Sequence, residues 1–226
     1  MAAGQRRERC VPLQTSRVAL FVKIAVPLLA LTLAGCASKP PPLATVERTA
    51  DWRAMATNAD RARLRGWRDA WTAALAQVRA AGKSAQLTGD NVLFDPDRAL
   101  AGATPPPGDY RCRVYKLGAK GTAMAEFTAY PAFTCRITRE GDISSLAKLT
   151  GSQRPVGLIL ADRDTRAIFL GTLVLGDETS PLQYGQDAAR DMAGLIERVG
   201  DARWRLVLPY PAFESILDVI ELTPQR

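Results

Sequence analysis

The chain contains no histidine, which removes Ser-His-Asp and Cys-His nucleophile systems and the imidazole-based zinc sites from the chemistry open to it. Ser145-Leu146-Ala147-Lys148 has a spacing at which a lysine can activate a serine. That arrangement needs a helix and companion Ser-Asp-Asn and Lys-Thr-Gly segments; here the run is β-like and neither companion follows. No glycine-rich phosphate loop joins a strand to a helix. Asp95 and Asp97 lack the glycine and distal glutamate of a calcium loop, and Asp95 reads instead as the N-cap of a short helix with Pro96 in its first turn. Carboxylates remain: Asp177, Glu178, Asp191, Glu197, Glu214 and Asp218. Two of them at a suitable separation would suit glycoside hydrolysis, and solvated loops with arginine partners are the plainer account. The polar clusters worth following are Ser152, Gln153 and Arg154, in the loop Gly151–Pro155, and Asp177-Glu178. Both would cap strand ends at one rim, where Arg154 can hold an anion or close an ordinary turn. No metal or cofactor site is indicated.

These residues sit in a run of short alternating apolar segments. Eight strands are expected, at 110–117, 127–138, 143–149, 154–160, 166–175, 191–199, 203–209 and 216–222. The segments between them are turn-like, for example Glu140-Gly141-Asp142, Ala161 to Thr165 and Gly176-Asp177-Glu178. Tight connections favour a small antiparallel β-barrel or a strongly curved sheet, since either protects the edges. The fold class is therefore α+β, mainly β. Phe169 to Leu175 is apolar on both faces, which requires cover on both sides.

That cover is supplied by an amphipathic helix from a Thr57 cap to Gly82. Leu64, Trp67, Trp71, Leu75 and Val78 form its apolar stripe, and Arg61, Arg65, Arg68 and Arg79 shield its edge. Cys112 and Cys135 fall on two neighbouring strands. A register in which they face each other, and Leu117 faces Tyr130, would put them in disulfide range. Tyr130-Pro131-Ala132-Phe133 and Tyr210-Pro211-Ala212-Phe213 echo one another, as would two copies of a turn beside a strand.

Residues 1–35 read as a leader. Arg6, Arg7, Arg9, Arg17 and Lys23 precede an apolar run from Ile24 to Leu33, too short for the roughly 20 residues of a membrane span. Translation starting near Val18 rather than Met1 would give a leader of ordinary length. Leu33-Ala34-Gly35-Cys36 resembles the lipobox of bacterial lipoproteins, which implies acylation at Cys36 and attachment to a membrane through lipid. Ala37 rather than aspartate implies, by the same resemblance, the outer membrane, with the chain facing the periplasm. Residues 36–46, with Pro40-Pro41-Pro42, read as a tether, and 47–226 as one domain, helical over 47–109 and β over 110–226. Removal of the leader takes five basic residues and Glu8 with it, so the net charge falls from +7 to +3. No nucleic-acid partner is expected at that charge and address.

The segments Asp51-Trp52-Arg53, Arg63 to Arg68, Gly108 to Gly118, Lys148 to Gly157, Phe169 to Glu178 and Arg203 to Glu221 together resemble an uncharacterised domain-of-unknown-function family of Gram-negative envelope proteins. The resemblance implies a periplasm-facing address and carries no activity. Gly194 to Leu208 is similar to lipocalin-like protease-inhibitor barrels. The expected function is non-enzymatic binding of a ligand or protein partner in the periplasm. The alternatives are a histidine-free carboxylate hydrolase of envelope polysaccharide, a peptidase-inhibitor-like barrel and a structural envelope component.

Overall fold

A computed structural model describes residues 50–225; the expected leader, Cys36 and the tether lie outside the described residues. Helices α1 (Trp52–Met55), α2 (Asn58–Arg65), α3 (Trp67–Ala80) and α4 (Ser84–Thr88) come first. The strands follow as β1 (Gly108–Ala119), β2 (Phe127–Glu140), β3 (Ile143–Lys148), β4 (Gln153–Arg163), β5 (Arg166–Leu175), β6 (Asp191–Gly200), β7 (Arg203–Pro209) and β8 (Ser215–Pro224). Each strand pairs with the next, and β8 closes on β1, giving a closed eight-stranded antiparallel barrel.

Alternation along the strands sorts side chains to two sides. Tyr110, Cys112, Ile137, Leu146, Ile159, Phe169, Leu206 and Leu222 share the lumen cluster. Leu117, Leu170, Leu195, Val207, Leu217 and Val219 face outward and share a cluster with Leu64 of α2, with Trp71, Ala74, Leu75 and Val78 of α3, and with Leu93 and Phe94. The helices thus pack on the outside, and β5 is buried on both faces, from Ala167 to Val174. Gly157 faces Gly171 across the β4–β5 pair. A Cβ on either would come within 2.3 Å of backbone oxygen, so the strands approach here more closely than any side chain would allow.

One end of the lumen is sealed. Tyr110 and Trp204 meet edge to face at 6.2 Å. The segment before β1 lies across them, with the Trp204 indole donating to Gly102 O at 3.1 Å and the Tyr110 hydroxyl to Pro106 O at 2.7 Å.

Several expectations are corrected. The single helix from Thr57 to Gly82 is divided at Gly66, where the Tyr210 ring packs against the glycine; the Thr57 cap holds, its hydroxyl accepting from Asp60 N at 3.1 Å. Asp95 caps a turn, accepting from Asp97 N, and no helix follows it. β4 continues through Ala161 to Arg163 across a bulge, so the turn before β5 is shorter than expected. The disulfide forms between Cys112 and Cys135 with Cα atoms 5.8 Å apart, but the register differs. Cys112 opposes Phe133, Cys135 opposes Tyr110, and Leu117 opposes Phe127. The cysteines are diagonal neighbours drawn together by the twist of the strands. The β1–β2 register also shifts between Arg113 and Tyr115, opposite Pro131, which has no N–H for the ladder. The two Tyr-Pro-Ala-Phe segments do not share a turn, since the first lies within β2 and the second in the β7–β8 loop.

The arginines flanking the helix stripe serve the helix and its surroundings. Arg61 donates to the carbonyls of Arg53 and Ala56, and Arg68 stacks on Trp67 and pairs with Asp97.

Candidate functional site

The β1–β2, β3–β4, β5–β6 and β7–β8 loops all lie at the end of the barrel opposite the seal, because β1, β3, β5 and β7 run toward it. There the lumen opens into a cavity of about 220 Å3, lined by residues from all eight strands. Val114, Phe133, Leu173, Met192, Leu208 and Ile220 give it an apolar wall, and charged side chains complete the lining.

The charged groups in the cavity follow from alternation. Lys116 continues the inward face of Cys112 and Val114, Lys148 that of Leu146, and Asp218 that of Ile220 and Leu222. Lys116 ion-pairs with Glu214 at 3.0 Å and with Asp218 at 3.1 Å, and Ser215 Oγ donates to Asp218. Burial pushes the Asp218 carboxyl above its ordinary range, with Lys116 opposing the shift. Burial also works against the Lys116 charge, but the two carboxylates outweigh it and the lysine is raised. Glu214 holds this position at a φ of 69°, in the left-handed region that an ordinary side chain seldom adopts.

Lys148 has a different environment. Its Nζ donates to the carbonyls of Thr150 and Gln153, at 2.8 Å each, and lies 3.7 Å from the Phe133 ring centre. Burial, with Arg154 and Lys116 nearby, lowers its pKa to about 8.

Of the residues singled out in the sequence, Ser152 and Gln153 line the cavity, and Gln153 Nε2 donates to Glu214 at 3.4 Å. Arg154 points away from it and joins two loops, donating to the carbonyls of Gly151, Gly176 and Glu178. Glu178 takes a two-point contact from Arg190, at 2.9 Å for each bond, and accepts from Leu175 N. The Arg190 bonds and that amide together bring its carboxyl down to about 2. Asp177 is exposed in the same loop. The two clusters therefore reach one rim, as expected, but only the first contributes to the lumen.

The Ser-x-x-Lys spacing is split by the strand. Ser145 is outward, bonded to Thr138, while Lys148 points inward. Lys116 was missed by sequence reasoning; its place in the alternation behind Cys112 and Val114 was the available signal. The 210–214 segment, which brings Glu214 and Phe213 to the mouth, offered none, because a loop has no periodicity to read. Among the described residues no group of three or more histidine, cysteine or carboxylate side chains is placed to hold a metal.

Comparison with curated proteins and with solved structures found no match. One family model does match, over residues 52–222, from α1 to within β8. The chain thus belongs to the family described as Domain of unknown function (DUF4893).

Proposed function

We propose that this protein is a non-enzymatic lipoprotein of the outer membrane, held on the periplasmic face through acylated Cys36, whose barrel takes up a small ligand. The observation that carries the reading is the asymmetric lumen, packed and sealed at one end and open as a cavity of about 220 Å3 at the other. Barrels of about eight strands are either filled by side chains or hold one small ligand, and here each half does one of these. The chain contributes apolar walls and a few fixed polar groups, the usual composition of a ligand site.

A thermal-shift screen of small amphiphiles tests the binding reading. Compounds that stabilise the wild type and leave Val114→Phe, in which the lumen is filled, unmoved support it; an equal response in both proteins refutes it. The anchor is tested separately: labelled palmitate is incorporated into the wild type and not into Cys36→Ser. Labelling of both would refute acylation at that cysteine.

The paired Glu214 and Asp218, one with a raised pKa, support a second reading as a carboxylate hydrolase. The Lys116 ammonium contacts both carboxylates and ties them to each other, which leaves neither free to attack a substrate. Turnover of an envelope glycan that Glu214→Gln abolishes would reverse this preference.

A further inference from the structure

The cations around the open lumen differ in how their charge is balanced. Lys116 is matched by Glu214 and Asp218, Arg63 by Asp60, and Arg190 by Glu178. Among the described residues that line the cavity, Lys148 is the one cation with no carboxylate in ion-pair contact. It is only 4% exposed. Two carbonyl dipoles and the face of Phe133 stabilise the ammonium, but they leave its net charge unmatched. A buried charge without a counter-charge is costly to the fold, so its presence beside an open apolar cavity points to a partner that arrives from outside.

We propose that the cavity takes a carboxylate-headed amphiphile, with the carboxylate as counter-ion to Lys148 and the hydrocarbon against Val114, Leu173, Met192 and Leu208. The proposal rests on the reading of the open end as a ligand site and specifies its chemistry. One negative charge matches the one positive charge of Lys148; Asp191, the remaining carboxylate of the lining, accepts from Gly185 N at 2.8 Å. A dianionic phosphate would carry a second charge into the lumen uncompensated, and an amine would add a like charge. Phe133 is only partly buried and stands at the edge of the cavity. A turn of its ring frees the third Nζ hydrogen, and Ser152 and Gln153 supply further donors beside it. The volume, about 220 Å3, is below the roughly 300–1,000 Å3 of sites for drug-sized ligands, which selects a short chain.

The test is calorimetric titration of the full chain with octanoate, octanol and octylamine, which share a body and differ in head charge. Octanoate is expected to bind at least about tenfold more tightly than octanol, and octylamine most weakly, because each tenfold corresponds to about 1.4 kcal/mol of head-group interaction. Lys148→Met is expected to lose that preference while still binding octanol. Equal affinity for octanoate and octanol in the wild type would overturn the inference, as would octanoate binding unchanged in Lys148→Met. The comparison within the wild type decides the matter even if the variant does not fold. Octanol binding without octanoate preference would leave the cavity reading intact. Failure of all three compounds would overturn the inference alone, the cavity reading being decided by its own amphiphile screen against Val114→Phe.

Discussion

Replacement of Arg205 by methionine tests how the helical layer is fastened to the barrel. The residue lies outside the lumen, beneath α3, and is fully buried. It donates twice to Glu197, at 3.0 and 2.7 Å, and to the carbonyls of Leu93, Asp95 and Arg98 at 2.7, 2.7 and 3.0 Å. One guanidinium therefore joins β6, β7 and the segment leading to the seal. Arg205→Met leaves Glu197 buried with Arg166 as its remaining partner, at 2.8 Å, and strips three carbonyls of their donor. Removing one partner of a buried ion pair costs about 3–5 kcal/mol, which sets the expected loss. For a domain of this size about 2–4 °C accompanies each kcal/mol, so the midpoint should fall by roughly 6–20 °C. Urea unfolding at pH 7 measures the free energy directly. Arg166 keeps Glu197 paired in the variant, so the expected loss lies toward the lower end of the roughly 3–5 kcal/mol range. A loss below about 1 kcal/mol for Arg205→Met would refute the reasoning.

Two further outcomes follow from the same structure. Cys112 and Cys135 are separated by 23 positions, and opening a loop of that length is worth about 3 kcal/mol in the chain-entropy model; Cys112→Ala/Cys135→Ala should show that loss in urea, and an unchanged midpoint would contradict it. Octanoate affinity should depend on Lys148, whose pKa of about 8 lies below its usual 10.5. If only the protonated amine binds, affinity is fully present well below pH 8 and weakens about tenfold between pH 7 and pH 9 by simple linkage. The titrating groups near Lys148 do not reverse that sign: Lys116 is held protonated by its carboxylates, and the Tyr130 hydroxyl is raised by burial. Titrations at pH 7 and pH 9 check this, and equal affinities would contradict it.

The strands were legible because the chemistry that places them is local. A period of two with turn residues between the runs locates all eight within a few residues, and the two-sided burial of β5 follows from its unbroken apolar run. Closure into a barrel was legible only as one of two ways to protect the edges. The β1–β2 register was misread because the two cysteines were taken to face each other, whereas twist allows a diagonal bond. The break falls at Gly66, a poor helix former, but the apolar stripe runs through it from Leu64 to Trp67, so the periodicity does not report it. The site divides in the same way. Lys116, Lys148 and Asp218 could be assigned to the lumen by alternation once their neighbours were, but Glu214 arrives on a loop and the seal on an irregular segment. Arg154 and Glu178 drew notice as a polar rim, and their contacts are with backbone carbonyls and with Arg190, long-range pairings that only the folded chain reveals.

We propose that the open end of the barrel, and not the sealed end, takes up the ligand. Amide chemical-shift mapping by NMR during titration with octanoate tests it most directly. Saturable shifts are expected at Lys116, Lys148, Gln153 and the 210–214 loop, with little change at Tyr110, Trp204 and the 100–107 segment. Shifts that centre on the sealed end, or that spread over the outer helices and spare the cavity, would contradict it.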